Sequence, residues 1–191
     1  YAQVRGFPKK TAGEDFYLLN KLAKVGDIKC LSKPKISVQA RVSDRVPFGT
    51  GKALQKIGEL NSPLTEMKFY HPMVFMSLKS WLSSWDELWS FRNVTDIRQA
   101  VEHQSTYSSE LGSYLQQHDV YSVIAAGYKQ HRSAVTFKKF LIQWFDGLKT
   151  LKFIHFLRDH HFPSISLRDL SEHPLLHHLD PDIKQSTDRL L

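Results

Sequence analysis

Three tryptophans at intervals of four residues place the first constraint on this chain. Trp81, Trp85 and Trp89 lie in residues 73–91 together with Val74, Met76, Leu78, Leu82 and Leu88. At 3.6 residues per turn such spacings return to one face, so the run predicts a helix with one wide apolar stripe. A stripe of that width has to be covered by other helices. The sequence supplies them. Asn93-Val94-Thr95-Asp96 offers caps for a helix reaching about residue 103. Residues 107–118 and 120–130 read as two more, with Gly112 and Gly127 counting against each. Residues 134–160 are periodic throughout, through Val135, Phe137, Phe140, Leu141, Trp144, Phe145, Leu148, Leu151, Phe153, Ile154 and Leu157. Gly147 is placed to kink or split that segment. A last helix is expected over 167–179, weakened by Pro174, before a frayed tail from Asp180. Residues 61–191 are thus expected to form an α-helical domain of five or six helices. The Trp and Phe stripes read as core, with a sugar-stacking platform as the less common use of such a face.

The N-terminal third has a different texture. Gly6, Pro8 and Gly13 stand among lysines and mark a loop. Glu14-Asp15 follows, and Phe16, Leu19, Leu22 and Ala23 recur at helical spacing up to Val25-Gly26, where Gly26 fits a left-handed C-cap. The two acids fall in the first helical turn. Free backbone N–H groups and the positive end of the dipole favour negative charge there, so simple capping explains them as well as function does. Residues 28–31 and 36–40 read as short strands around Ser32-Lys33-Pro34-Lys35. The second alternates Ile36, Val38 and Ala40 against Ser37, Gln39 and Arg41. All strands are expected before residue 45. Cys30 reads as a small buried hydrophobe of the first strand, and a single cysteine excludes an internal disulfide. A basic, glycine-containing loop, residues 41–51, comes next. Residues 55–72, with Gly58, Asn61-Ser62-Pro63 and His71-Pro72, read as a linker with at most short helical pieces, which places a boundary near residue 60.

Charge separates the same two regions. Residues 1–60 hold 12 Lys and Arg against 5 Asp and Glu, whereas the remainder holds 14 of each. The whole net charge of +7 therefore lies around the acidic pair and the basic loop. A local positive field favours an anionic ligand such as a phosphate, a diphosphate, a nucleic acid or an anionic lipid; a solvated basic surface is the plain alternative.

From Arg5 to Leu54 the order is acidic helix start, helix, strand, strand and arginine loop. This segment resembles the end of the catalytic domain of family-2 glycosyltransferases, which have the nucleotide-sugar-binding fold called GT-A. Arg5-Gly6-Phe7-Pro8 resembles the turn that leads to their acidic motif. Gly13-Glu14-Asp15 looks like their Glu-Asp acceptor-site motif. Arg41-x-Ser43-x-Arg45 followed by Phe48-Gly49-x-Gly51 looks like the basic loop that often follows it. The resemblance covers about fifty of the 191 residues. It implies a mainly α chain, in which the helical domain 61–191 follows a short α/β remnant of a GT-A domain over 1–60. It assigns the acceptor-side base to Asp15, with Glu14 as a second carboxylate. Arg41, Ser43, Arg45, Gly49 and Gly51 would contact the donor diphosphate. A nucleotide-sugar donor, an acceptor of unspecified type and a divalent cation, Mg or Mn, are implied for the full-length enzyme, with no cofactor in this part. The family's Asp-x-Asp motif has no counterpart in a suitable place, since Asp180-x-Asp182 lies in the polar tail. This part alone is therefore expected to be inactive.

Other function classes are weaker. The ten histidines all follow position 70. His155, His160 and His161 sit near one helix end, and His173, His177 and His178 on another; surface histidines are a better reading than a metal site. Nucleic-acid binding lacks a zinc pattern or an aromatic pair in a glycine-rich strand. A helical interaction module with a basic N-terminal arm, binding nucleic acid or a protein, is the alternative to the enzyme. No apolar run reaches the ~18 residues that span a bilayer. The chain starts at Tyr1 with no leader-like run, so part of a longer, cytoplasmic protein is expected.

Overall fold

The computed structural model describes residues 1–33, 35–39, 41–42, 49–91, 93, 95–99 and 108–176. The described chain is mainly helical. It divides into two compact units, one ending at Met67 and one starting at Lys68.

The first unit opens with a 3-10 turn, Ala2–Val4, which ends in left-handed Arg5 and Gly6. A side chain at Gly6 would collide with the Tyr1 hydroxyl, 2.6 Å away, and with its ring, 2.7 Å away. Helix α1, Glu14–Leu22, packs on that turn and buries Leu18. Of the expected stripe, Phe16 and Leu22 are half-buried, whereas Leu19 and Ala23 are exposed. Gly26 is not left-handed either. The last carbonyls of α1 are taken by tight turns instead, with Val25 N and Gly26 N both donating to Leu22 O at 3.0 Å. Helix α2, Thr50–Gly58, occupies the first part of the expected linker, and α3, Pro63–Glu66, is a single turn.

The two expected N-terminal strands are absent over 28–33 and 35–39, which are irregular and exposed. Ile36 and Val38 are 85% and 82% exposed. Their alternation is a valid strand pattern, but a strand exists only where a second one accepts its hydrogen bonds. Cys30 is accordingly exposed rather than buried. The one sheet among the described residues lies elsewhere, contrary to the expectation that strands precede residue 45. Strand β1, Lys68–Phe69, pairs antiparallel with β2, Ile165–Ser166, with Lys68 opposite Ser166 and Phe69 opposite Ile165. Two-residue strands leave no alternation to read.

In the second unit the tryptophan run forms α4, Pro72–Phe91. Asn93 Oδ1 accepts from Asp96 N at 2.8 Å and so starts α5, residues 95–99; its expected extension to 103 lies outside the described residues. Helices α6, Ser108–Gln117, and α7, Val120–Gln130, follow. The long periodic segment is split into α8, Ala134–Trp144, and α9, Gly147–His160. The break falls ahead of Gly147. Phe145 leaves the helical region, and Asp146 Oδ1 accepts from Lys149 N at 3.2 Å as a new N-cap. Ser133 does the same for α8. Helix α10, Leu167–Ser171, starts with a reciprocal Ser166–Asp169 capping box that holds the Asp169 carboxyl below its ordinary range. The helix expected to reach 179 ends at Ser171, and Pro174–Leu176 is a separate 3-10 turn.

Helix α4 packs on α6, α8 and α9, while α6 packs on α7 and α9, and α7 on α8. The core lies between them, with Trp81, Leu88, Leu115, Ile124, Phe137, Leu141, Phe153 and Leu157 fully buried. Trp81, Trp85 and Phe145 meet edge-to-face at 5.7–6.1 Å. Tyr128 stacks on Phe137 at 4.8 Å and its hydroxyl donates to Leu88 O. Val74, Trp81, Trp85 and Leu88 of the stripe are therefore core, as the tryptophan spacing predicts, whereas Leu82 at its edge is exposed.

Candidate functional site

The acidic pair begins α1 directly. Gly13 is the N-cap residue, with φ 73° and ψ 17°, a backbone conformation that suits glycine. Its carbonyl accepts from Tyr17 N at 3.1 Å. Glu14 and Asp15 are both exposed in the first turn. The Asp15 carboxylate accepts from the N–H of Phe16 at 2.7 Å, so it lies against the positive end of its own helix. Lys10 sits 5.3 Å from the centre of the Tyr17 ring one turn on. An exposed carboxylate fixed at a helix start can cap that helix, and it can also accept a proton from a ligand placed beyond the helix end.

The basic loop is described only at its two ends. Arg41 is exposed and irregular. Ser43 and Arg45 lie outside the described residues. Gly49, with φ 117° and ψ −169°, is the N-cap residue of α2, a region that only glycine enters without strain. Gly51 falls in the first turn of α2. It was expected to let a backbone loop approach a ligand, and it lies at a helix start. Among the described residues no hydrogen bond or ion pair joins Glu14, Asp15 and Arg41.

Sequence reading missed the helix entered at Gly49. The signal was present, since Gly49-Thr50 precedes Leu54 and Ile57 at helical spacing. It also missed the histidine pairing at the start of α4, which joins residues a hundred positions apart. No group of three or more His, Cys, Asp or Glu side chains able to hold a metal occurs among the described residues. No helix among them is long and apolar enough to cross a membrane. The chain matches no protein-family model, no curated protein and no solved structure.

Proposed function

We propose that residues 1–60 form the acceptor-side end of a nucleotide-sugar-dependent glycosyltransferase of the GT-A type, followed by an accessory helical unit. One observation carries the reading. Two glycine-led helix starts, Gly13 before Glu14-Asp15 and Gly49 before Gly51, bracket the basic part of the chain. An acid and a diphosphate-binding group are the two things a transfer needs at opposite ends of the reacting bond. Asp15 takes the proton of the acceptor hydroxyl while that oxygen bonds to the anomeric carbon. The bond from that carbon to the diphosphate breaks, and the nucleoside diphosphate leaves with the electron pair. Arg41 and Arg45 offset the charge that builds on the leaving diphosphate, and the Ser43 hydroxyl donates a hydrogen bond to it. The divalent cation implied by the resemblance would assist the same departure. No group of side chains able to hold it occurs among the described residues.

The test uses the whole gene product that carries this chain, with labelled nucleotide sugars in Mn²⁺ or Mg²⁺. Asp15→Asn keeps size and hydrogen-bonding reach but removes the proton acceptor. It should abolish most single-turnover transfer and leave donor binding nearly intact. Wild-type transfer in Asp15→Asn would show that the pair only caps α1, a role whose loss costs at most ~1 kcal/mol.

The exposed apolar and basic residues of 28–33, 35–39 and 41–42 favour a second reading, an interaction module whose N-terminal arm binds a protein or nucleic acid. Absence of donor binding by the whole gene product, with saturable binding of a partner through this arm, would select it.

A further inference from the structure

Two His-Pro pairs far apart in sequence meet at one end of the helical unit. His71-Pro72 opens α4, and His173-Pro174 opens the turn Pro174–Leu176. Their local geometry is the same. His71 Nδ1 accepts from Met73 N at 3.2 Å, and His173 Nδ1 accepts from Leu175 N at 3.2 Å. The His71 carbonyl accepts from Val74 N at 3.0 Å, and the His173 carbonyl from Leu176 N at 2.9 Å. Proline explains the repetition. It has no N–H, so the residue after it carries the first free donor of the turn, and the preceding imidazole reaches it. The two rings then pack edge-to-face with centroids 5.0 Å apart, and His71 also stacks on Phe162 at 5.7 Å.

A ring nitrogen that accepts a backbone N–H carries no proton of its own. Both rings are therefore neutral, with the proton on Nε2. That tautomer leaves no lone pair for a metal, so the pair is not a ligand set. Protonating either Nδ1 sets N–H against N–H and breaks a cap. Protonating both sets two cations ring to ring. We propose that His71 and His173 form a pH-sensitive clasp, which holds residues 165–176 on the start of α4 at neutral pH and releases them on acidification.

The surroundings agree. Burial, and then the neighbouring His173, hold His71 below its ordinary 6.5. The folded state thus favours the neutral ring. Its stabilisation is full above 6.5 and is lost as pH falls through that value towards the lowered one. No nearby acid is placed to reverse this. Asp159 is engaged by Arg158 at 2.7 Å, Asp169 by Ser166, and Glu172 is exposed. The other charged groups on the packed elements are basic: Lys68 on β1, Arg158 beside Tyr70 and Arg168 on α10. Of the nearby rings, His161 has a buried Nε2 with no hydrogen-bond partner among the described residues. His155 bonds Tyr70 Oη at 2.8 Å, and His160 and His161 pack on Phe156.

Ring-nitrogen NMR and amide exchange on the 191-residue chain test the clasp. At pH 7.5 both histidines should show the Nε2–H tautomer. Between pH 7.5 and 5.5, exchange protection over residues 165–176, corrected for intrinsic rates, should fall by up to about tenfold, the ceiling for one imidazole of ordinary pKa 6.5. Amides of α6 and α7 should keep theirs. In H71N/H173N, asparagine can cap without titrating in this range, and the protection should not change with pH. His71→Asn alone should remove most of the pH response if the double variant does not fold. The Nδ1–H tautomer, flat protection in the wild type, a uniform loss across the whole unit, or an undiminished fall in the asparagine variants would overturn the proposal.

Discussion

The two units put similar apolar side chains to opposite uses. From Lys68 onward, the main helices cover one another's apolar faces, and Trp81, Phe137 and Phe153 lose all contact with water, although Phe75, Leu82 and Val135 remain exposed. Up to Met67, the apolar residues Ile28, Leu31, Ile36 and Val38 stay in solvent, and only Val4 and Leu18 are buried among the described large hydrophobics. Composition does not separate these cases. The difference is whether a complementary surface exists. Helices satisfy their own backbone and need only a packing partner, whereas a strand needs a second strand before its pattern means anything.

That contrast can be broken or sharpened by substitution. The largest effect is expected at Trp85, in the aromatic trio with Trp81 and Phe145. Trp85→Ala should destabilise the helical unit by ~3–5 kcal/mol in denaturant titration, and an unchanged midpoint would mean that this face is not core. Gly127→Ala tests how closely α7 and α8 approach. The new methyl would lie 2.7 Å from Phe140 and 2.8 Å from Phe137. Phe137 is held by Tyr128 and Trp89, so it cannot move aside. Overpacking of ~1–3 kcal/mol should outweigh the ~1 kcal/mol that alanine brings to a helix. A gain in stability would show that the interface is loose. Asp146→Ala removes the cap that starts α9 and should cost ~1 kcal/mol, read from the same titration. Val38→Ser should change stability by no more than ~0.5 kcal/mol. A loss above 1 kcal/mol there would show that segment 35–39 is covered in solution.

Much of the helical unit was legible because its signal is local. The tryptophan interval gave α4, and Asn93 with Asp96 gave the start of α5. The α8–α9 split falls at Gly147, as expected, and the Asp146 cap that starts α9 there was not read from the sequence. The β1–β2 ladder was illegible, since its two residues per strand carry no period. In the first unit, the acidic pair was placed correctly at a helix start, whereas the strands of 28–40 were inferred from alternation without the partner that alternation presupposes. Of the candidate site, Gly49 was singled out for a ligand and serves as a helix entry.

The short ladder also bears on the order of folding. Joining Lys68 to Ser166 closes a loop of about a hundred residues, at an entropic cost on the order of 4 kcal/mol for a flexible chain. Two residues per strand cannot offset that alone. The ladder can form only after α4 has docked on α9 and brought its ends together. It is then a late event, absent from the transition state. Substitutions in it should leave the folding rate unchanged and show themselves only in faster unfolding.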